Sequence, residues 1–130
     1  MKADELLNKK RLIRGKMKTI LSLVGLLALV TTFPAISDTH CKGKVTYLAI
    51  GRSGTVLVNG PGGLPSVYLC NVQNKVNNIE VESCKAIYST LLAAKSQDKT
   101  VNITFLPNID SCSSFKSWSV AKNLNWVFAS

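Results

Sequence analysis

The sequence predicts a mainly β domain with one helix, in the order β-β-β-α-β-β, closed by two disulfides. Three observations carry this expectation. Five short segments rich in β-branched and aromatic residues lie beyond residue 38. One stretch among them, Glu82 to Gln97, has helical rather than alternating periodicity. All four cysteines fall in the same part of the chain, behind an export signal. An even cysteine count in a small exported domain reads as a disulfide framework.

The signal comes first in the chain. Lys9, Lys10, Arg11, Arg14, Lys16 and Lys18 lead into the apolar run from Ile20 to Val30. Ala35 and Ser37 supply the small residues that precede a cleavage point, with helix-breaking Pro34 before them. Residues 1–37 are therefore expected to be a signal peptide cleaved before Asp38, and residues 38–130 a single domain. Met17 offers an alternative start, which would make residues 1–16 an over-extended beginning. The apolar run is shorter than the roughly 20 residues of a membrane span, so membrane contact is expected only through this segment while uncleaved. The expected location is secreted or periplasmic. The formal net charge of +9 is concentrated here. Residues 1–37 hold seven Lys/Arg against two acids, and residues 38–130 nine against five. The domain is left with a moderate, scattered positive charge, which argues against nucleic acid as its partner.

The strands follow in order. Gly43 to Ile50 reads as the first, and the Gly51-Arg52-Ser53-Gly54 turn returns the chain into Thr55 to Asn59. Gly60 to Pro65 is expected to be a plain connector with no regular pairing. Ser66 to Val72 is the third strand. In the helix, Cys84, Ile87, Leu91 and Ala94 share one face, with Tyr88 beside them and Ser83 as the expected N-cap. Thr100 to Leu106 alternates, with Val101, Ile103 and Phe105 on one side and Asn102 and Thr104 on the other. This alternation accounts for the Asn102-Ile103-Thr104 sequon as strand. Phe115 to Val120 and Leu124 to Phe128 read as a last strand or hairpin broken at Ala121-Lys122-Asn123.

Four cysteines allow three pairings. The element positions favour Cys70–Cys84, pinning the helix start to the third strand, and Cys41–Cys112, tying the start of the domain to its second half. A zinc site using His40 is disfavoured, because the close Cys-x-x-Cys spacing is missing. No metal and no cofactor is expected.

This order is that of a five-stranded, OB-like antiparallel barrel with its helix between the third and fourth strands; an open sheet with one covering helix is the alternative. The stretches CKGKV, YLC, SCKAIYSTLLAAKSQ and KTVNITFL, spanning Cys41 to Leu106, resemble small exported OB-fold modules of bacteria such as the B subunits of AB5 toxins. That resemblance implies a pentameric ring that binds cell-surface glycans with its helices at the centre. It assigns no binding residue in this chain.

The catalytic inventory is thin. His40 is the single histidine and is expected to be a solvated surface residue, and no GxSxG or HExxH motif is present. A non-enzyme is expected. Of Tyr47, Tyr68, Tyr88, Phe105, Phe115, Trp118, Trp126 and Phe128, most are expected to build the core. Trp118 and Trp126, each set among polar residues, are the candidates for ligand contact. The expected role is an exported binding module for a glycan or a protein partner, as a monomer or a homo-oligomeric ring. The alternative is an enzyme inhibitor acting through the Gly60–Pro65 loop.

Overall fold

The computed structural model describes residues 32–130. The basic run and apolar core of the expected signal peptide, and the alternative start at Met17, lie outside the described residues. The chain divides into two units, Met1–Ala35 and Ile36–Ser130. Among the described residues every strand and helix belongs to the second unit, and no helix is long and apolar enough to cross a membrane.

The second unit is mostly β with one helix and two disulfides. Its elements are β1 (Thr39–Lys44), β2 (Tyr47–Ile50), β3 (Thr55–Asn59), β4 (Val67–Asn71), α1 (Val81–Ser96), β5 (Thr100–Phe105), β6 (Ser119–Val120) and β7 (Leu124–Ala129). Short 3-10 turns occupy Pro61–Gly63 and Cys112–Ser114. Two sheets form, in the strand orders β1-β5-β7 and β2-β3-β4-β6. All pairings are antiparallel except that of β4 with β6.

The chain changes sheet twice, and at both places the structure corrects the sequence reading. The first strand does not run unbroken from Gly43 to Ile50. It starts at Thr39 and breaks at Val45-Thr46, with β1 in one sheet and β2 in the other. Val45 turns into the core at the break. The end of the chain is not a hairpin either. β6 pairs with β4 and β7 with β5, so the two segments belong to different sheets. Buried Ala121 lies at their junction.

The core between the sheets is aliphatic. Val56, Val58, Leu64, Val67, Leu69, Leu91, Val101 and Ile103 are buried. Phe105 is the one buried aromatic, its ring 5.1 Å from that of Phe115. The expectation that most aromatics fill the core therefore fails. Branched aliphatic side chains from both sheets take the buried positions instead.

Helix α1 buries Cys84, Leu91 and Ala94, with Ile87 and Tyr88 half-buried beside them. Its N-cap is Glu80 rather than Ser83, and no side chain caps it. The first turn is held instead by the Cys70–Cys84 bond, with Cα atoms 5.7 Å apart. Cys41–Cys112 spans the same Cα separation, 5.7 Å, and joins β1 to the second 3-10 turn. Two disulfides belong to an oxidising, extracytoplasmic environment.

The Gly60–Pro65 connector is not unstructured. Pro61 and Leu64 are buried, and the turn between them packs on β1. Gly62 has φ +62°, and a Cβ there would stand 2.7 Å from Cys41 Cα. Replacing it combines backbone strain with a clash against main chain. Gly62→Ala is expected to cost about 2 kcal/mol of unfolding free energy, measured by urea denaturation; a loss below about 0.5 kcal/mol would contradict this packing.

Candidate functional site

The outward face of the β2-β3-β4-β6 sheet forms a groove of about 570 Å³. Period-two alternation builds it. On β3 and β4, Val56, Val58 and Val67 point into the core, and Leu57 and Tyr68 point out. Register aligns Ala49, Leu57, Tyr68 and Val120 as one row across the four strands. Leu57 forms a closed floor, 5% exposed. Tyr47 and Tyr68 stand along the groove, and Trp118 reaches it from the segment before β6.

Trp118 has an unusual backbone. Its φ is +62°, in the left-handed region where a bulky side chain is strained. Its N–H donates to Ser66 O at 2.7 Å, and its ring meets the edge of Tyr68 with centroids 6.3 Å apart. The indole remains 64% exposed. An exposed, large aromatic in a strained backbone adds little to the core and offers a rigid face to a ligand.

One end of the groove is the turn at residues 51–54. Gly51 O accepts from Gly54 N–H at 2.9 Å, and Gly51 N–H donates to Thr55 O at 2.8 Å. Arg52 sits on this turn and is the one charged residue lining the groove. Among the described residues it has no ion-pair partner. Asn71 holds the turn from beneath. Its Nδ2 donates to Ser53 O at 3.0 Å and Thr55 Oγ1 at 3.3 Å, and its Oδ1 accepts from the N–H groups of Gln73 and Asn74. A buried amide with both ends satisfied fixes two turns at once. Asn71→Ala is expected to lose about 2 kcal/mol of stability and to weaken any ligand contact made by Arg52. Thermal unfolding checks the first part, and an unchanged melting temperature would contradict it.

The structure separates the two tryptophans. Trp126 lies on β7, on the outward side of the other sheet, 65% exposed, and does not line the groove. Its backbone N–H donates to Thr104 Oγ1 at 3.1 Å. Beside it, exposed His40 meets the Asn102 amide at 2.9 Å. Asn102 is only 8% exposed, so its sequon is closed in the folded chain. Tyr47, Tyr68, Arg52 and Asn71 were not picked out as site residues from sequence. The turn motif and the outward positions of alternating strands were the available signals, but only strand pairing brings them to one surface.

Chemically, the groove offers flat aromatic faces, an apolar floor and one guanidinium. No Asp, Glu, His or Cys lines it. Among the described residues no group of three His, Cys, Asp or Glu side chains could hold a metal ion. No protein-family model matches the chain, no curated protein matches it in sequence, and no solved structure matches it in fold.

Proposed function

We propose that the protein is an exported, non-catalytic binding module of OB-barrel type that holds an oligosaccharide in the groove of Tyr47, Tyr68, Trp118 and Arg52. The observation that carries this reading is Trp118, a strained, exposed indole set edge-to-face with Tyr68 above an apolar floor. Sugar rings present an apolar face to aromatic platforms and polar edges to amides and cations, and the groove offers both.

The barrel part of the reading rests on topology. With β1–β2 taken as one bent strand and β6–β7 as another, five strands pair in the cyclic order 1-2-3-5-4-1. Only the third and fifth run parallel, and the helix falls between the third and fourth. The groove then covers the second and third strands, between the first turn and the connection before the fifth. OB barrels take oligosaccharides and oligonucleotides on that surface. The resemblance to toxin B subunits is kept as one of architecture and role: a secreted or periplasmic glycan reader.

A non-catalytic role is supported by the groove's lack of an acid or base. Asp98, Glu80 and Glu82 instead form surface ion pairs with Lys44, Lys75 and Lys85. The test is a glycan array followed by calorimetric titration of the best hit. Binding that falls at least tenfold in Trp118→Ala is expected, equivalent to about 1.4 kcal/mol. A silent array, or a hit indifferent to Trp118, would overturn the reading. Salt-sensitive binding of single-stranded DNA in its place would move the protein to the nucleic-acid class.

A further inference from the structure

We infer that the outward face of the β1-β5-β7 sheet is a second binding site, for an acidic peptide segment of a partner protein laid in extended form along β5, between Lys42 and Trp126. The site is separate from the groove and does not depend on what the groove holds.

Strand alternation sorts the side chains of this face into three columns. On β1, Cys41 is buried, so His40, Lys42 and Lys44 point outward. On β7, Val127 stands opposite core Ile103, so Trp126 and Phe128 point outward. Asn102 and Thr104 lie between them on β5. Register places His40, Thr104 and Trp126 in one row and Lys42, Asn102 and Phe128 in the next. The face is therefore basic along one edge, aromatic along the other and polar in the middle. No Asp or Glu occupies an outward position on the three strands. Lys44 pairs with Asp98 at 2.7 Å, while Lys42 has no ion-pair partner among the described residues. Both rings are exposed, Trp126 at 65% and Phe128 at 41%.

The middle column supplies the observation that asks for a ligand. Asn102 is 8% exposed, and its Nδ2 meets His40 Nδ1 at 2.9 Å. Its Oδ1 is buried and has no hydrogen-bond partner, the only such side-chain atom among the described residues. A buried carbonyl oxygen without a donor is costly, and native structures retain few. Thr104, the other buried side chain of the column, is already satisfied by the Trp126 backbone N–H. Lys42 and Phe128 flank Asn102 in its row and are exposed, so they are free to part for an incoming donor.

Three demands then fall on one ligand: an N–H donor at the centre, a negative charge toward β1 and an apolar group toward β7. An extended peptide meets all three. Laid edge-on along β5, it turns successive side chains to opposite sides, and its N–H and C=O groups alternately into the face and away from it. Residues two apart repeat at about 6.8 Å in an extended chain, which is also the spacing of His40 and Lys42 along β1 and of Trp126 and Phe128 along β7. Acidic residues at alternate positions reach Lys42 and the His40 ring, apolar residues between them cover the two aromatic rings, and a backbone N–H falls on Asn102 Oδ1. A neutral glycan would leave Lys42 unpaired. A bilayer supplies charge and apolar contact across a flat front, and would leave the recessed amide unpaired.

The test is calorimetric titration of the oxidised protein with the peptide acetyl-Asp-Leu-Asp-Leu-Asp-Leu-amide. Wild type is expected to bind it, and to bind acetyl-Asp-Asp-Asp-Leu-Leu-Leu-amide, of the same composition, about tenfold more weakly. Lys42→Glu and Trp126→Ala, both at exposed positions, are expected to fold and each to lose about tenfold in affinity for the alternating peptide. Asn102→Leu, which removes the unpaired oxygen at similar volume, is expected to lose a similar factor. Equal affinity for the two peptides would overturn the inference, since charge and apolar content alone would then suffice. So would the absence of binding, or binding lost in Trp118→Ala and kept in Trp126→Ala, which would place the peptide in the groove. Sedimentation with vesicles of equal parts phosphatidylcholine and phosphatidylglycerol, dependent on Trp126 and with no peptide bound, would overturn it in favour of a membrane contact.

Discussion

Trp118→Gly is expected to be about 1 kcal/mol more stable than Trp118→Ala, while both lose ligand at least tenfold. At φ +62° a side chain with a Cβ is strained, by about 1–2 kcal/mol, and glycine is not. Alanine keeps that strain and loses the ring. Glycine loses the ring and relieves the strain, at an entropic cost of about 0.5–1 kcal/mol in the unfolded chain. Against wild type, glycine is expected to stay within about 1 kcal/mol, because the ring is largely exposed and packs mainly on Tyr68. A core tryptophan truncated to alanine would lose about 3–5 kcal/mol. The comparison separates a ligand-facing role from a structural one. Urea unfolding and glycan titration of the two variants measure it. If Trp118→Gly loses as much stability as a core truncation, the indole is packing and the site lies elsewhere.

Much of the fold was legible because local pattern and long-range packing agreed. Thr55–Asn59 is a strand with the bounds its β-branched run suggests, and the Val101-Ile103-Phe105 alternation faces the core along its whole length. The helix was readable from one face because Cys84, Leu91 and Ala94 meet the sheet at the 3.6-residue period. Its start was not. Serine at 83 looked like the cap, but the helix starts two residues earlier, after Glu80, so Ser83 lies inside the first turn, and the bond at Cys84 ties that turn to β4. The two sheet changes were hidden for another reason. Alternation gives the side of a sheet that a residue faces, but not the sheet to which it belongs. Trp118 and Trp126, eight residues apart, were both candidates for ligand contact and stand on different sheets, because buried Ala121 turns the chain between them. The groove was illegible for the same reason, being assembled from three strand pairings and one turn. Asn71 looked like the end of a strand, and only the fold reveals the four bonds that make it a keystone of the groove mouth.

Removing Cys41–Cys112 by a double substitution to alanine is expected to cost about 4 kcal/mol, against about 3 kcal/mol for Cys70–Cys84. Chain entropy sets the ranking, since the bonds close separations of 71 and 14 residues and the unfolded chain gains more freedom from opening the longer loop. Either loss is a large share of the 5–15 kcal/mol typical of a small domain. The two bonds should differ more sharply in function. Cys112 anchors the segment between β5 and β6 that carries Trp118. Without the bond, the part of that segment before Trp118 is held by Phe115 against Phe105 and by Thr39 Oγ1, which accepts from Ile109 N–H at 3.0 Å, and the part from Trp118 onward by the Trp118–Ser66 bond and the β4–β6 pairing. Loosening it disorders the indole face and weakens binding beyond the loss of stability. Cys70–Cys84 ties the helix to β4 on the core side, away from the groove, so its removal should lower stability with binding nearly unchanged below the unfolding transition. Denaturant unfolding with glycan titration on each double variant measures both effects. Equal losses of binding in the two variants would mean that the bonds act only through global stability. Binding preserved without Cys41–Cys112 would mean that the segment carrying Trp118 needs no covalent anchor, and that the parallel β4–β6 pairing with the Trp118–Ser66 bond suffices to hold the indole over Tyr68.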